Sequence, residues 1–243
     1  MRMMIRFKKQ LLIAAISTVL ISSGTESAFA NDESILLLIR HGQTDWNIDG
    51  RAQGHTDNSL NERGIAQAEI LAEKLASHHS DITALYSSDL SRAFVTAQMV
   101  GEKLRLQIEK REQLRERNNG AAEGLTVEEE RVFYGTSEEI LNELFPQCQE
   151  RWNYTSIPDA ETYNELLQRV KNELVKIAAK HPGKKVAVIA HGEILGIFVS
   201  YLLGKEKLLH LPNCSIIKVL YSPEDQEQPF KFVDIEDSLQ AQS

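Results

Sequence analysis

Residues 35–42 read Ile35-Leu36-Leu37-Leu38-Ile39-Arg40-His41-Gly42. Five apolar residues in a row suit a strand buried on both faces, as in a parallel sheet covered by helices. The run then stops on a cation, an imidazole and a glycine. The pattern recurs near the other end of the chain, where Val186-Ala187-Val188-Ile189 leads into Ala190-His191-Gly192. Between them, Ala84-Leu85-Tyr86 is a short strand running into Ser87-Ser88-Asp89.

Working outward, helical spacing alternates with these strands. Ile65, Ala68, Ile70, Leu71 and Leu75 recur on one face, with Glu62 in the first turn. Ala93, Val95, Ala97 and Val100 mark a second helix, which Ser88 or Asp89 could cap. Residues 160–179 form a longer amphipathic helix closed by His181-Pro182-Gly183, and 192–203 another helix. Residues 107–114 are a third strand and 215–221 a last core strand. This alternation predicts a three-layer α/β/α sandwich with a largely parallel central sheet. Ligands of such sheets bind beyond the carboxyl ends of the strands, where Arg40-His41-Gly42, Ser87-Ser88-Asp89 and His191-Gly192 stand.

Residues 1–30 read as a signal peptide rather than as part of the fold. Arg2, Arg6, Lys8 and Lys9 precede an apolar run from Leu11 to Ile21, and Ala28-Phe29-Ala30 suits a signal peptidase. The run is short of the roughly 20 residues a spanning helix needs. The expectation is a secreted or periplasmic protein with no stable membrane insertion after cleavage. The remaining 31–243 make one domain, whose 23 basic and 34 acidic side chains leave a net charge of −11. Such a surface repels nucleic acid and anionic lipid, so an anion site would be a local basic pocket. An oxidising compartment permits a Cys148–Cys214 bridge. Cys214-Ser215-Ile216-Ile217 reads instead as a buried strand, which favours two unpaired thiols. No His or Cys cluster has metal-ligand spacing.

The residue types at the strand ends suit phosphoryl chemistry. A neutral imidazole held in one tautomer can attack phosphorus. Arginines can clamp the equatorial oxygens, and a carboxylic acid can protonate the leaving oxygen. Spacing alone does not bring these groups together.

Arg40-His41-Gly42-Gln43-Thr44-Asp45-Trp46-Asn47 resembles the signature of the histidine phosphatase superfamily, the phosphoglycerate mutase-like group. The likeness continues through Gly54, Asp57, Leu60 and Gly64, then Tyr86 to Ala93, then Leu114-Arg115-Glu116 with Glu123-Gly124. It ends on Val188 to Gly192 and Asn213-Cys214-Ser215. The resemblance implies a phosphoglycerate mutase-like fold, no metal or other cofactor, and a small phosphorylated substrate. It implies that His41 becomes phosphohistidine, that Arg40 and Arg92 bind phosphate oxygens, and that His191 stabilises transferred charge. Glu116 would donate the proton to the leaving group, with Glu112 and Glu123 as nearby alternatives. Asn47 and Gln53 would add phosphate hydrogen bonds. Ser59 and Ala122 depart from the family's usual proline and aromatic. Glu193 would raise the pKa of His191 if it pointed inward.

Three activities are open on this pattern: a phosphomonoester hydrolase, a phosphoglycerate mutase-type phosphotransferase, and a non-catalytic phosphate-ligand or protein-binding module. Glu116 and His191 are 75 residues apart, short for a mutase of this family. The segment between them reads as lacking basic residues placed to grip a substrate carboxylate. Both points, and the signs of export, favour hydrolysis. Residues 117–160 read as a lid insertion, whose Phe133, Tyr134, Phe145, Trp152 and Tyr154 either stack on a substrate or pack the lid. Residues 223–243 read as a C-terminal extension. Substrate identity and oligomeric state stay open.

Overall fold

The computed structural model describes residues 32–135, 151–205 and 208–236. Residues 1–30, Phe145 and Cys148 lie outside the described residues, and with them the signal-peptide and disulfide expectations. Strand β1 (Ser34–Arg40) leads into a short helix α1 (Asp45–Ile48) and then α2 (Glu62–His78). Next come β2 (Ile82–Ser87), α3 (Ser91–Leu104) and β3 (Ile108–Lys110). Two 3-10 turns, Glu112–Leu114 and Gly120–Ala122, precede α4 (Val127–Tyr134). Then follow α5 (Tyr163–Ala179), β4 (Lys185–Ala190), α6 (Gly192–Leu202), β5 (Ile216–Tyr221) and β6 (Phe230–Glu236).

The six strands form one sheet in the order β3-β2-β4-β1-β5-β6. The first four are mutually parallel; at the other side β5 runs antiparallel to β1, and β6 antiparallel to β5. Side chains alternate across β1, as a pleated strand requires. Leu36 and Leu38 join Leu166, Val170 and Leu174 of α5 and Ile194 and Phe198 of α6 on one face. Leu37 and Ile39 join Leu71 and Leu75 of α2 and Ala93, Ala97 and Val100 of α3 on the other. Two apolar layers thus hold the sheet between helices, the three-layer sandwich that the alternation predicts.

Four expectations need correction. The third strand is only three residues long, because Glu112–Leu114 closes as a 3-10 turn that buries Leu114. Cys214 precedes β5 rather than lying within it, and takes a left-handed φ of 60°. The segment after 222 is not merely an extension, since β6 pairs with β5 along Phe230–Glu236. Neither Ser88 nor Asp89 is the α3 N-cap. That position is Leu90, whose N–H is accepted by Ser88 Oγ at 3.3 Å.

Candidate active site

The sheet register creates the site. In the β1–β4 ladder Arg40 pairs with Ala190, so the next residues on each strand, His41 and His191, emerge side by side. Their ring centroids are 5.1 Å apart at an interplanar angle of 64°. On the far side of β4, Ser87 of β2 pairs with Ile189. The helix that follows β2 brings Arg92, at its second residue, to the same end of the sheet. Arg92 is fully buried and its Nε donates to His191 Nδ1 at 3.2 Å.

His41 Nδ1 lies 2.6 Å from the Gly42 carbonyl. A carbonyl only accepts, so Nδ1 carries the proton and Nε2 keeps its lone pair. The Arg92 bond fixes the opposite tautomer in His191, whose Nδ1 accepts and whose Nε2 therefore bears the proton. That Nε2 is buried without a hydrogen-bond partner among the described residues. One ring thus presents a nucleophilic lone pair and the other a donor. Burial, reinforced by the neighbouring guanidiniums of Arg92 and Arg40, holds both imidazoles well below the usual histidine range.

The two arginines are braced differently. Arg92 gives one Nη1 bond to Thr56 O at 2.9 Å and one Nη2 bond to Gly54 O at 2.8 Å. Arg40 Nη1 donates to Leu211 O, while its Nε has no partner among the described residues. The His41 loop is pressed tightly onto the start of α2. A Cβ on Gly42 would come 2.4 Å from Gly64 O, and one on Gly64 would come 2.0 Å from Gln43 O. Only glycine fits at either place.

Asn47 and Gln53 both line the cavity. Asn47 Oδ1 accepts from Thr44 N and Asn213 Nδ2, each at 3.2 Å, and Gln53 Oε1 accepts from Thr44 Oγ1 at 3.0 Å. Each amide oxygen is engaged by the protein, so the NH2 group is the end left for an anion. Asn213 also donates to His41 O at 3.0 Å. It tethers the His41 backbone, a role that nothing in the residues around Asn213 signals in the sequence.

Glu116 reaches the site by capping α6 from outside that helix. Oε2 accepts from Glu193 N at 3.0 Å, and Oε1 from Ile194 N at 2.9 Å and Arg117 N at 3.0 Å. His191, the N-cap residue itself, makes no side-chain cap bond. The alternatives to Glu116 are placed elsewhere. Glu123 accepts from His55 N at 2.7 Å and Thr56 N at 2.9 Å, and the Glu112 side chain is 68% exposed.

Arg40, His41, Asn47, Gln53, Arg92 and Glu116 all line one cavity of about 230 Å³, with His191 buried behind it. Two features of its surroundings bear on the expectations. Glu193 is not among the groups acting on His191; it faces Arg117, with Arg117 Nη1 3.8 Å from Glu193 Oε2. The segment after Glu116 does contain arginines. Arg117 is buried against Glu161 O and Asn119, and Arg131 pairs with Glu128, so neither is placed to grip a carboxylate in the cavity. Phe133, Tyr134, Trp152 and Tyr154 are absent from the cavity lining. Trp152 packs against the core and Phe133 is 67% exposed. Among the described residues there is no cluster of three or more His, Cys, Asp or Glu that could hold a metal, and no helix long and apolar enough to cross a membrane.

The family profile described as "Histidine phosphatase superfamily (branch 1)" matches residues 36–230. The chain belongs to the histidine phosphatase superfamily. The chain is similar to "Phosphoglycerate mutase-like protein 4" of Arabidopsis thaliana, 34% identical over 166 residues, which are 68% of this chain and 69% of that protein. "Phosphoserine phosphatase 1" of Hydrogenobacter thermophilus is 31% identical over 173 residues, 70% of this chain and 76% of the relative. Among solved structures, a phosphoglycerate mutase from Bacillus anthracis superposes with a TM-score of 0.71 at 31% identity, covering 86% of this chain and 95% of the other. Mutases and phosphatases both occur among the superfamily relatives, so the choice between them rests on the site.

Proposed function

We propose that this chain hydrolyses small phosphomonoesters through a phosphohistidine formed on His41. The observation that carries the reading is the tautomer pair: Nδ1–H of His41 is tied to Gly42 O, and Nδ1 of His191 is tied to Arg92. His41 Nε2 attacks phosphorus, and the bond from phosphorus to the ester oxygen breaks. That oxygen takes a proton from the Glu116 carboxyl and leaves as the alcohol. A water then gives its proton to Glu116 and attacks phosphorus. The P–N bond breaks, and inorganic phosphate leaves with His41 restored.

The charge on the transferring group is met by Arg40, Arg92 and the Nε2–H of His191, with the NH2 groups of Asn47 and Gln53 beside them. The N-terminus of α6 adds its positive end to the same place. These groups supply the stabilisation that a metal would otherwise give, and the reaction is read as metal-independent.

Hydrolysis is favoured over phosphoryl return by the 75-residue span between Glu116 and His191 and by the commitment of Arg117 and Arg131 to partners of their own. The phosphatase relatives support the same choice. A non-catalytic module would have lost one of the converging groups, and all are present. Incubation with 3-phosphoglycerate and with p-nitrophenyl phosphate tests this. Phosphate release without 2-phosphoglycerate is the expected result, abolished in His41→Ala. Rapid 2-phosphoglycerate formation without phosphate release would make the chain a mutase. We take the protein to be exported, on the charged and apolar pattern of residues 1–30. N-terminal sequencing of the exported protein should begin after Ala30, and an intact Met1 would refute it.

A further inference from the structure

Arg92 is a buried cation whose hydrogen bonds go to neutral groups. Its partners among the described residues are the His191 ring and the carbonyls of Gly54 and Thr56. Each Nη nitrogen has two N–H groups, so one on each is left after these bonds. Burial pulls the guanidinium down from the ordinary arginine pKa, and the charges of Glu116, Asp57 and Glu123 oppose that pull. Glu116 has its task in the cavity. Asp57 and Glu123 are absent from the cavity lining, so their effect on Arg92 is exerted from behind. Asp57 secures the helix: it accepts from Ser91 N at 2.6 Å and Ser91 Oγ at 2.7 Å, one residue before Arg92. The proposed reaction gives Glu123 no part.

Glu123 grips the loop whose carbonyls hold Arg92. Oε1 accepts from His55 N at 2.7 Å, and Oε2 from Thr56 N at 2.9 Å and Thr56 Oγ1 at 2.5 Å. A short ladder delivers it there: Gly124 N donates to Ala52 O and Ala52 N to Leu125 O, each at 2.8 Å. A trans peptide unit is planar, with its C=O and N–H pointing opposite ways. The unit joining Gly54 to His55 therefore has its N–H on Glu123 and its C=O on Arg92 Nη2. It is a rigid spacer between a carboxylate and a guanidinium, and bonds linked in such a buried chain polarise one another. Thr56, gripped by the other carboxylate oxygen, gives its carbonyl to Arg92 Nη1. Gly54 admits this approach, since a Cβ there would come 2.1 Å from Glu123 Oε1. A carboxylate bonded directly to Arg92 would compete with phosphoryl oxygens for its N–H groups. One peptide away, it offsets the buried charge and leaves those groups to the substrate.

We infer that Glu123 is a positioning residue: through the Gly54–His55 peptide and Thr56 it fixes the Arg92 fork, and with it both the phosphate clamp and the His191 tautomer. It touches no substrate itself. The inference rests on the phosphatase reading in taking the bound anion to be a phosphoryl group, but it concerns binding and can be measured without turnover.

The test compares wild-type protein with Glu123→Gln, which keeps the shape but turns one acceptor oxygen into an NH2 group, and with Thr56→Val, which removes only the hydroxyl donor. Inorganic phosphate is titrated calorimetrically, and NMR of isotope-labelled histidine reads the His191 tautomer. Wild-type His191 should carry its proton on Nε2 alone. Glu123→Gln should weaken phosphate binding by about tenfold, the worth of one charged hydrogen bond, and bring His191 into a mixture of tautomers. Thr56→Val should move both readouts the same way by less. In an Arg92→Lys background Glu123→Gln should cost less than about twofold more, because the group it acts through is gone. Wild-type phosphate affinity and tautomer in Glu123→Gln, or an undiminished loss in the Arg92→Lys background, would overturn the assignment. Should Glu123→Gln fail to fold, an unchanged affinity and tautomer in Thr56→Val would overturn it equally. Failure of the phosphohistidine reading would show instead as absent p-nitrophenyl phosphate turnover in the wild-type protein, a separate readout.

Discussion

At the residue scale, the site works by denying protons to two histidines. Both imidazoles are held well below their usual range by burial and by Arg92 and Arg40. In the unfolded chain they return to about 6.5. Below that pH the unfolded state therefore binds protons that the native state refuses, and stability falls as pH drops. Each histidine contributes a slope of up to about 1.4 kcal/mol per pH unit. Urea unfolding between pH 7.5 and 5 should show this loss, and His191→Gln should flatten it; an unchanged slope would show that His191 titrates alike in both states. His41, held well below its usual range by burial and by Arg92 and Arg40, keeps its lone pair at pH values where a free imidazole begins to be protonated. His41, Arg40 and His191 were legible because a buried strand ending in His-Gly is visible in one dimension. The aim of Glu193 was not, since it depends on where Arg117 packs.

At the element scale, the key device is a helix capped by a residue from elsewhere in the chain. Glu116 satisfies the amides of Glu193 and Ile194, two donors that α6 cannot satisfy internally. Glu116→Gln keeps an acceptor for that cap but cannot give the proton. Turnover of alkyl phosphates should fall by about 10²–10⁴, and p-nitrophenyl phosphate, with its better leaving group, should lose far less. Glu116→Ala should in addition cost about 0.5–2 kcal/mol of stability through the lost cap. Equal losses on both substrates would mean that Glu116 is structural only.

Arg169 of α5 braces this loop with all its donors. They go to Gln113 O at 2.8 Å, Arg115 O at 2.9 Å, Glu116 O at 3.1 Å, and both Glu161 oxygens at 2.8 and 2.7 Å. It is a positioning residue for Glu116, and Lys cannot reproduce the fork. Arg169→Lys should reproduce the same leaving-group split in milder form; uniform loss on both substrates would contradict this. The capping of α6 was not legible, because Glu116 lies in a charged run whose direction the sequence leaves open. Strand β6 was missed for a related reason. Only Phe230 of its seven residues is buried, and a register shift at Lys218/Val219 breaks the alternation a reader looks for.

At the scale of the whole molecule, an acidic chain encloses an arginine-rich cavity. The sheet order puts β4 between β1 and β2, so the residues following all three strands meet although they are widely separated in sequence. The fold class was legible from strand–helix alternation alone. The convergence was not, since alternation does not give strand order. The resemblance carried that step, and the β1–β4 register supplies its physical cause. Close packing holds the arrangement: Gly64→Ala would drive a methyl into Gln43 O. It should destabilise the fold by about 1–3 kcal/mol and depress turnover by displacing the His41 loop. A Gly64→Ala protein with wild-type stability and activity would show that the contact is relaxed.

The central claim is that His41 Nε2 carries the phosphoryl group between attack and hydrolysis. Rapid quench of wild-type protein with a phosphomonoester, followed by peptide mass spectrometry under alkaline conditions, tests it most directly. The account predicts a single acid-labile, base-stable phosphate on the peptide containing His41, absent in His41→Ala. Turnover in wild-type protein with no phosphate on His41, or a phosphate trapped on another residue, would contradict it.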